Sequence, residues 1–139
     1  MCFMAIDYGD AHTGIAISDP TGFLTGYSTV INAYRAEVVV QEVARLAREH
    51  GVEELVLGHP INMDGTRGPR SEKAQAMAEL LRGATELPVV LWDERRTTID
   101  AHQILMNNGK NAKKRKKTVD AVAASLILEG YLTFKKSRS

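Results

Sequence analysis

The chain has 139 residues, 44% hydrophobic and 25% charged, which suits one domain spanning 1–139 with a genuine core and ordinary soluble composition. Its single cysteine, Cys2, excludes an internal disulfide and multi-cysteine zinc clusters. No apolar run approaches the roughly 18 residues of a membrane helix, and MCFMAIDYGD lacks the regions of a signal peptide, so a reducing cytoplasm and no membrane are expected. The formal net charge of +1 hides a split: residues 1–100 hold 9 Lys/Arg against 15 Asp/Glu, residues 101–139 hold 9 against 2, a hint of a polyanionic partner.

FMAID and GIAIS read as consecutive short strands joined by a turn around residues 8–13, and STVIN, 28–32, as a third, edge-like strand. In AEVVVQEVARLAREHG, Val39, Val43, Leu46 and Ala47 recur at helical spacing, and Arg48, His50 and Gly51 mark the helix end. ELVLG, 54–58, reads as a buried parallel strand. The Gly- and Pro-rich loop HPINMDGTRGPR follows, then a helix over 71–82 capped by Ser71, with Ala74, Met77, Ala78 and Leu81 inward.

LPVVLW is the next buried strand and runs straight into Asp93, Glu94 and Arg95. Thr97 and Asp100 resemble a capping box opening a helix to about Met106. TVDAVAASLILEGYL, apolar nearly all round, reads as a buried helix. Residues 107–117 and the tail after Tyr131 are expected to be the most mobile. The order β-β-β-α-β-α-β-α-α implies an α/β mixed sheet, early strands antiparallel and later ones parallel, with helices on both faces.

Asp7 ends one apolar strand, Asp93 and Glu94 follow another, and Asp120 sits in the first turn of the most apolar helix. Ligands of open α/β sheets gather at the carboxyl ends of parallel strands. If the first and fifth strands are parallel neighbours, their terminal acids meet there, and a helix crossing that edge adds Asp120. Clustered carboxylates repel, and Mg²⁺ or Mn²⁺ removes the penalty. A pair of such ions can activate water against a phosphodiester. Each acid also has a plain alternative. Asp7 would serve as a turn residue before Gly9, Asp93 or Glu94 as an ion-pair partner of Arg95 or Arg96, and Asp120 as a helix-dipole partner.

The 59–70 loop offers backbone N–H groups with Arg67 or Arg70 to a phosphate, beside a helix N-terminus, or else is a surface turn at Asp64-Gly65. GKNAKKRKK places six positive charges between Lys110 and Lys117, either a solvated run or a clamp for a nucleic-acid backbone. It carries no aromatics for base stacking. None of the four histidines has metal-ligand spacing, and His59, at a strand end, is the one to watch.

AIDYGDAHTGIAISD, LVLGHPINMDGT, WDERRTT and VDAVAASLILEGYL, in this order and spacing, resemble the YqgF/RuvX family over nearly the whole chain. Its members are described as Holliday-junction resolvases or as nucleases maturing the 5′ end of 16S ribosomal RNA. The resemblance implies a ribonuclease H-like fold in which acids at two strand ends and on a C-terminal helix bind divalent metal. Carried over, Asp7, Glu94 and Asp120 are the catalytic and metal-holding residues, with Asp93 in reserve.

The implied activity is a Mg²⁺- or Mn²⁺-dependent endonuclease acting on precursor 16S rRNA, with four-way DNA as the alternative substrate. Arg67, Arg70, Arg95, Lys113, Lys114, Arg115, Lys116 and Lys117 would position the backbone of structured RNA or branched DNA. The expected assembly is a monomer or homodimer. His12 stands where Arg or Lys is frequent, and His59 makes G-H-P of the usual G-L-P; neither change touches the acids. Two rivals remain. A catalytically silent binding module would keep the acids without turnover. An ATP-binding domain of the actin and sugar-kinase type shares the Asp-x-Gly strand but needs two such domains, and this length holds one.

Overall fold

A computed structural model of the chain describes residues 2–19, 25–60, 68–93 and 112–138, with 112–121 and 136–138 described as helix backbone. Five strands and three helices follow in the order β1 (Phe3–Asp7), β2 (His12–Ser18), β3 (Thr25–Asn32), α1 (Ala36–His50), β4 (Glu54–His59), α2 (Pro69–Thr85), β5 (Val89–Asp93) and α3 (Ala112–Arg138). The helix expected over Thr97–Met106 lies outside the described residues.

The strands form one mixed sheet in the order β3-β2-β1-β4-β5. β1 and β2 pair antiparallel, as do β2 and β3, whereas β1, β4 and β5 run parallel. The first and fifth strands are therefore not neighbours. β4 lies between them and sets their backbones two strand spacings apart, about 10 Å. Each parallel step needs a crossover, and α1 and α2 are the helices that precede and follow β4.

Strand alternation divides the apolar residues into two layers. Met4, Ile6, Ile15, Ile17, Leu55 and Leu57 pack with Val39, Val43, Met77 and Leu81 of α1 and α2. Phe3, Ala5, Ala16, Val56 and Trp92 pack with Ala124, Ile127, Leu128 and Tyr131 of α3. Every apolar residue expected on the inner faces of α1 and α2 is buried. Burying each large one stabilises by about 1.5–3 kcal/mol.

α1 ends as its sequence announces. Gly51 adopts φ 66°, the left-handed conformation, and its N–H donates to the Ala47 carbonyl. α2 begins earlier than expected and is not capped by Ser71. Gly68 is the N-cap and Pro69 the first residue, where a fixed φ and a missing N–H do no harm. Ser71, fully buried, faces inward instead. α3 is also longer than expected at both ends. Ala112–Lys117 belongs to the helix, in keeping with the strong helix propensity of Ala, Lys and Arg. Beyond Tyr131 the helix continues, and Phe134 packs against Trp92 with ring centroids 5.5 Å apart. Among the described residues, no helix is long and apolar enough to cross a membrane.

Candidate functional site

Asp7 is the last residue of β1, the central strand, and lies opposite Gly14 of β2. It opens on a cleft of about 180 Å³ at the carboxyl edge of the parallel strands, lined by Tyr8, Asp10, Pro60, Arg70 and Lys73. The local sequence explains the shape. A Cβ on Gly9 would collide with the His12 carbonyl oxygen, so only glycine lets the turn after Asp7 close this tightly. Pro69 starts α2 so that Arg70 and Lys73, one turn apart, both reach the cleft. Lys73 Nζ lies 3.2 Å from Asp10 Oδ1. Both groups are exposed, so the pair adds little stability, but it ties the turn after β1 to α2.

The cleft therefore sets carboxylates, Asp7 and Asp10, beside cations, Arg70 and Lys73. Carboxylate oxygens suit a hard divalent cation, and guanidinium and ammonium groups suit a phosphate. Among the described residues no group of three or more Asp, Glu, His or Cys is gathered to hold a metal. Of the three expected ligands, only Asp7 has a described side chain. Glu94 lies outside the described residues, and Asp120 belongs to the part of α3 described as backbone.

Asp93 ends β5 and pairs in register with His59. Alternation gives it the face of Val89 and Leu91, toward α1 and α2, whereas Asp7 shares the opposite face with Phe3 and Ala5. Arg70 is the one expected phosphate contact with a described side chain, and it lines the cleft. Arg67 and Arg95 lie outside the described residues. Lys113, Lys114, Arg115, Lys116 and Lys117 sit on the first turns of α3, described as backbone.

Two histidines acquire definite roles. His12 Nδ1 donates to Asn32 Oδ1 at 2.7 Å, across the β2–β3 pair and on the strand face of Asp7. His59 is buried, its Nε2 2.6 Å from the Ser71 hydroxyl and 3.5 Å from the Gln75 amide nitrogen. The short contact with Ser71 fastens the start of α2 to the end of β4.

α3 is anchored at the opposite edge of the sheet. The Tyr131 hydroxyl donates to Glu54 Oε2 at 2.7 Å, and Lys135 Nζ stands 3.5 Å from the same oxygen. Burial, and after it the Glu54 carboxylate, push the Tyr131 phenol well above its ordinary range. Sequence reasoning missed Asp10, Tyr8 and Lys73. The recurrence of a cation three residues after Arg70 was the available signal for Lys73.

Against this geometry, the family profile "RuvX: Holliday junction resolvase" matches residues 1–134. A protein of Halothermothrix orenii named "Putative pre-16S rRNA nuclease" is 40% identical over 134 residues, 96% of each chain. One of the same name from Pelotomaculum thermopropionicum is 41% identical over 133 residues, 95% of this chain and 86% of that one. Among solved structures, Thermus thermophilus RuvC in complex with a Holliday junction substrate superposes with a TM-score of 0.65 at 14% identity, covering 100% of this chain and 98% of that one. The Fowlpox virus resolvase bound to Holliday junction DNA gives 0.61 at 13% identity over 97% and 99%. The fold is ribonuclease H-like, as expected.

Proposed function

Because this chain belongs to the RuvX family, we propose that it is a divalent-metal-dependent endonuclease that cuts phosphodiester bonds near the 5′ end of precursor 16S rRNA. The observation that carries this reading is the cleft at the end of β1, with Asp7 and Asp10 beside Arg70 and Lys73. Residues 1–139 act as one nuclease domain, in the cytoplasm. The relatives' name supports RNA as the substrate.

Asp7, Glu94 and Asp120 hold Mg²⁺ or Mn²⁺ in this reading. Two patterns support the set. Asp93 has the parity of Val89 and Leu91, on the α1 and α2 side of the sheet and away from Asp7, which leaves the neighbouring acid Glu94 as the better candidate. Asp120 stands four, seven, eight and eleven residues before Ala124, Ile127, Leu128 and Tyr131, in phase with the buried stripe of α3. Eleven residues of helix span about 16 Å. That approximates the length of β1, about 13 Å from Phe3 to Asp7.

The all-oxygen donor set fits a hard cation, and the chemistry such an ion supplies is water activation and stabilisation of the leaving oxygen. The chain's own cations do the rest. Arg70 and Lys73 hold the scissile phosphate against the carboxylates and offset their mutual repulsion. Arg67, Arg95 and the 113–117 run carry the flanking backbone, which makes binding salt-sensitive.

The test is cleavage of end-labelled precursor 16S rRNA fragments and four-way DNA junctions in Mg²⁺, Mn²⁺ and EDTA, with wild type beside Asp7→Asn and Asp120→Asn. Metal-dependent cutting of the RNA, lost in both variants, is expected. Preference for the junction would favour the resolvase reading, which the family description supports and which calls for two sites in a dimer. Binding without any cutting would sink the nuclease reading in favour of a silent module.

A further inference from the structure

The cleft does not end at Lys73. Tyr8, Asp10 and Lys73 also line an adjoining groove of about 370 Å³, whose other walls include Tyr34, Met77 and Leu80. The two depressions differ in chemistry. Charges dominate the cleft, while an apolar floor and two phenol rings mark the groove. Tyr34 is 84% exposed and Leu80 49% exposed, so a large ring and a large aliphatic chain stand in water beside the candidate site.

The walls are tied together before anything binds. The Ala33 N–H donates to the Ala11 carbonyl at 3.1 Å, joining the turn that carries Tyr34 to the turn after Asp7. The Lys73–Asp10 pair joins that same turn to α2. Tyr8 packs on the core below. A preformed groove of this kind spares a ligand the ordering of its site.

We propose that this groove receives an unpaired base of the nucleic acid whose phosphate occupies the adjacent cleft. The inference rests on the nuclease reading and adds a substrate class to it: strands with an unpaired nucleotide beside the scissile bond. Continuity argues for this occupant. A backbone held by Arg70 and Lys73 delivers its neighbouring base past Tyr8 into the groove, because the two depressions share that wall. The volume falls within the roughly 300–1,000 Å³ of small-molecule sites. Two tyrosines beside apolar side chains offer stacking that accepts any base, since every base has a π-face. A base locked in a duplex stack cannot enter, so the groove selects single-stranded ends, bulges or mismatches. Lys73 at the seam serves the backbone and not the base.

The test is fluorescence anisotropy in EDTA with two RNAs, a blunt duplex and the same duplex bearing an unpaired extension with one 2-aminopurine. Wild type is compared with Tyr34→Ala and Tyr34→Phe. Tyr34→Ala is expected to weaken binding of the extended RNA about 5-fold or more while leaving the blunt duplex unchanged, and Tyr34→Phe to restore it. The 2-aminopurine signal should quench on wild type and not on Tyr34→Ala. Equal binding and equal quenching by Tyr34→Ala, with cutting intact, would overturn the base groove alone. Self-association abolished by Tyr34→Ala, with RNA binding unchanged, would assign the face to a second copy and also overturn it. A wild type that neither binds nor cuts either RNA would remove the nuclease reading itself.

Discussion

Removing one hydroxyl from α3 should weaken the fold more than loss of an ordinary surface polar group. Tyr131 is 5% exposed and its hydroxyl reaches Glu54 Oε2 at 2.7 Å. Glu54, 9% exposed, retains Lys135 at 3.5 Å when the phenol is gone. A hydrogen bond to a charged group contributes about 1.5–3 kcal/mol. Since Lys135 keeps the carboxylate accompanied, the lower part applies, and Tyr131→Phe should lose about 1.5–2 kcal/mol at neutral pH. An unfolding entropy of about 0.29 kcal/mol/K for this chain length turns that into a Tm lower by about 5–7 °C.

Alkali supplies an independent check. The folded phenol titrates above its ordinary 10.0, so the fold favours the protonated form. Above that value the unfolded chain has lost the proton while the native one keeps it, and stability falls as pH rises. The contribution is whole below about pH 10 and declines by at most about 1.4 kcal/mol per pH unit above it. Phenylalanine has no such slope. Urea denaturation of both proteins, at neutral pH and between about pH 10 and 11, should show a gap that narrows in alkali. Equal midpoints at neutral pH, or a gap unchanged in alkali, would refute the role given to this contact.

Gly9→Ala should cripple cleavage while moving Tm by only a few degrees, because the new Cβ meets the His12 carbonyl and displaces the turn behind Asp7; full activity would contradict the turn geometry. Asn caps helices as well as Ser does, so a capping Ser71 would tolerate Ser71→Asn, whereas the fully buried hydroxyl on His59 predicts a loss of about 1–3 kcal/mol by urea denaturation.

Much of this fold was legible in local pattern, and the misreadings have local causes. α1 runs over Ala36–His50 as its periodicity and terminal Gly51 indicate, because one face is strongly apolar and the opposite face charged. FMAID is β1 residue for residue. The start of α2 was misplaced because a serine before an apolar run looks like a cap, when Pro69 and Gly68 already begin the helix. α3 starts at Ala112, ahead of the expected start at Thr118, because Ala, Lys and Arg favour a helix without an apolar stripe to announce it.

Strand order was legible only in part. Antiparallel hairpins are local, but nothing in residues 3–7 or 89–93 tells that β4 separates them. Asp7 and Arg70 were legible as site candidates from motif position. Asp10 and Lys73 meet across 63 residues of sequence, and the ring of Tyr34 adjoins them only through the folded turns. Contacts of that kind have no signature in spacing.

The lone thiol has a use that follows from where β1 begins. Cys2 is buried, its Sγ 3.5 Å from the Ser18 carbonyl oxygen, immediately before the strand that ends in Asp7. At 8% exposure it reacts slowly while folded and faster when that end of the chain opens. With a single cysteine in the chain, the labelling rate times that opening directly. Every variant above thus carries a native clock for the opening of its central strand, readable by mass with no engineered probe.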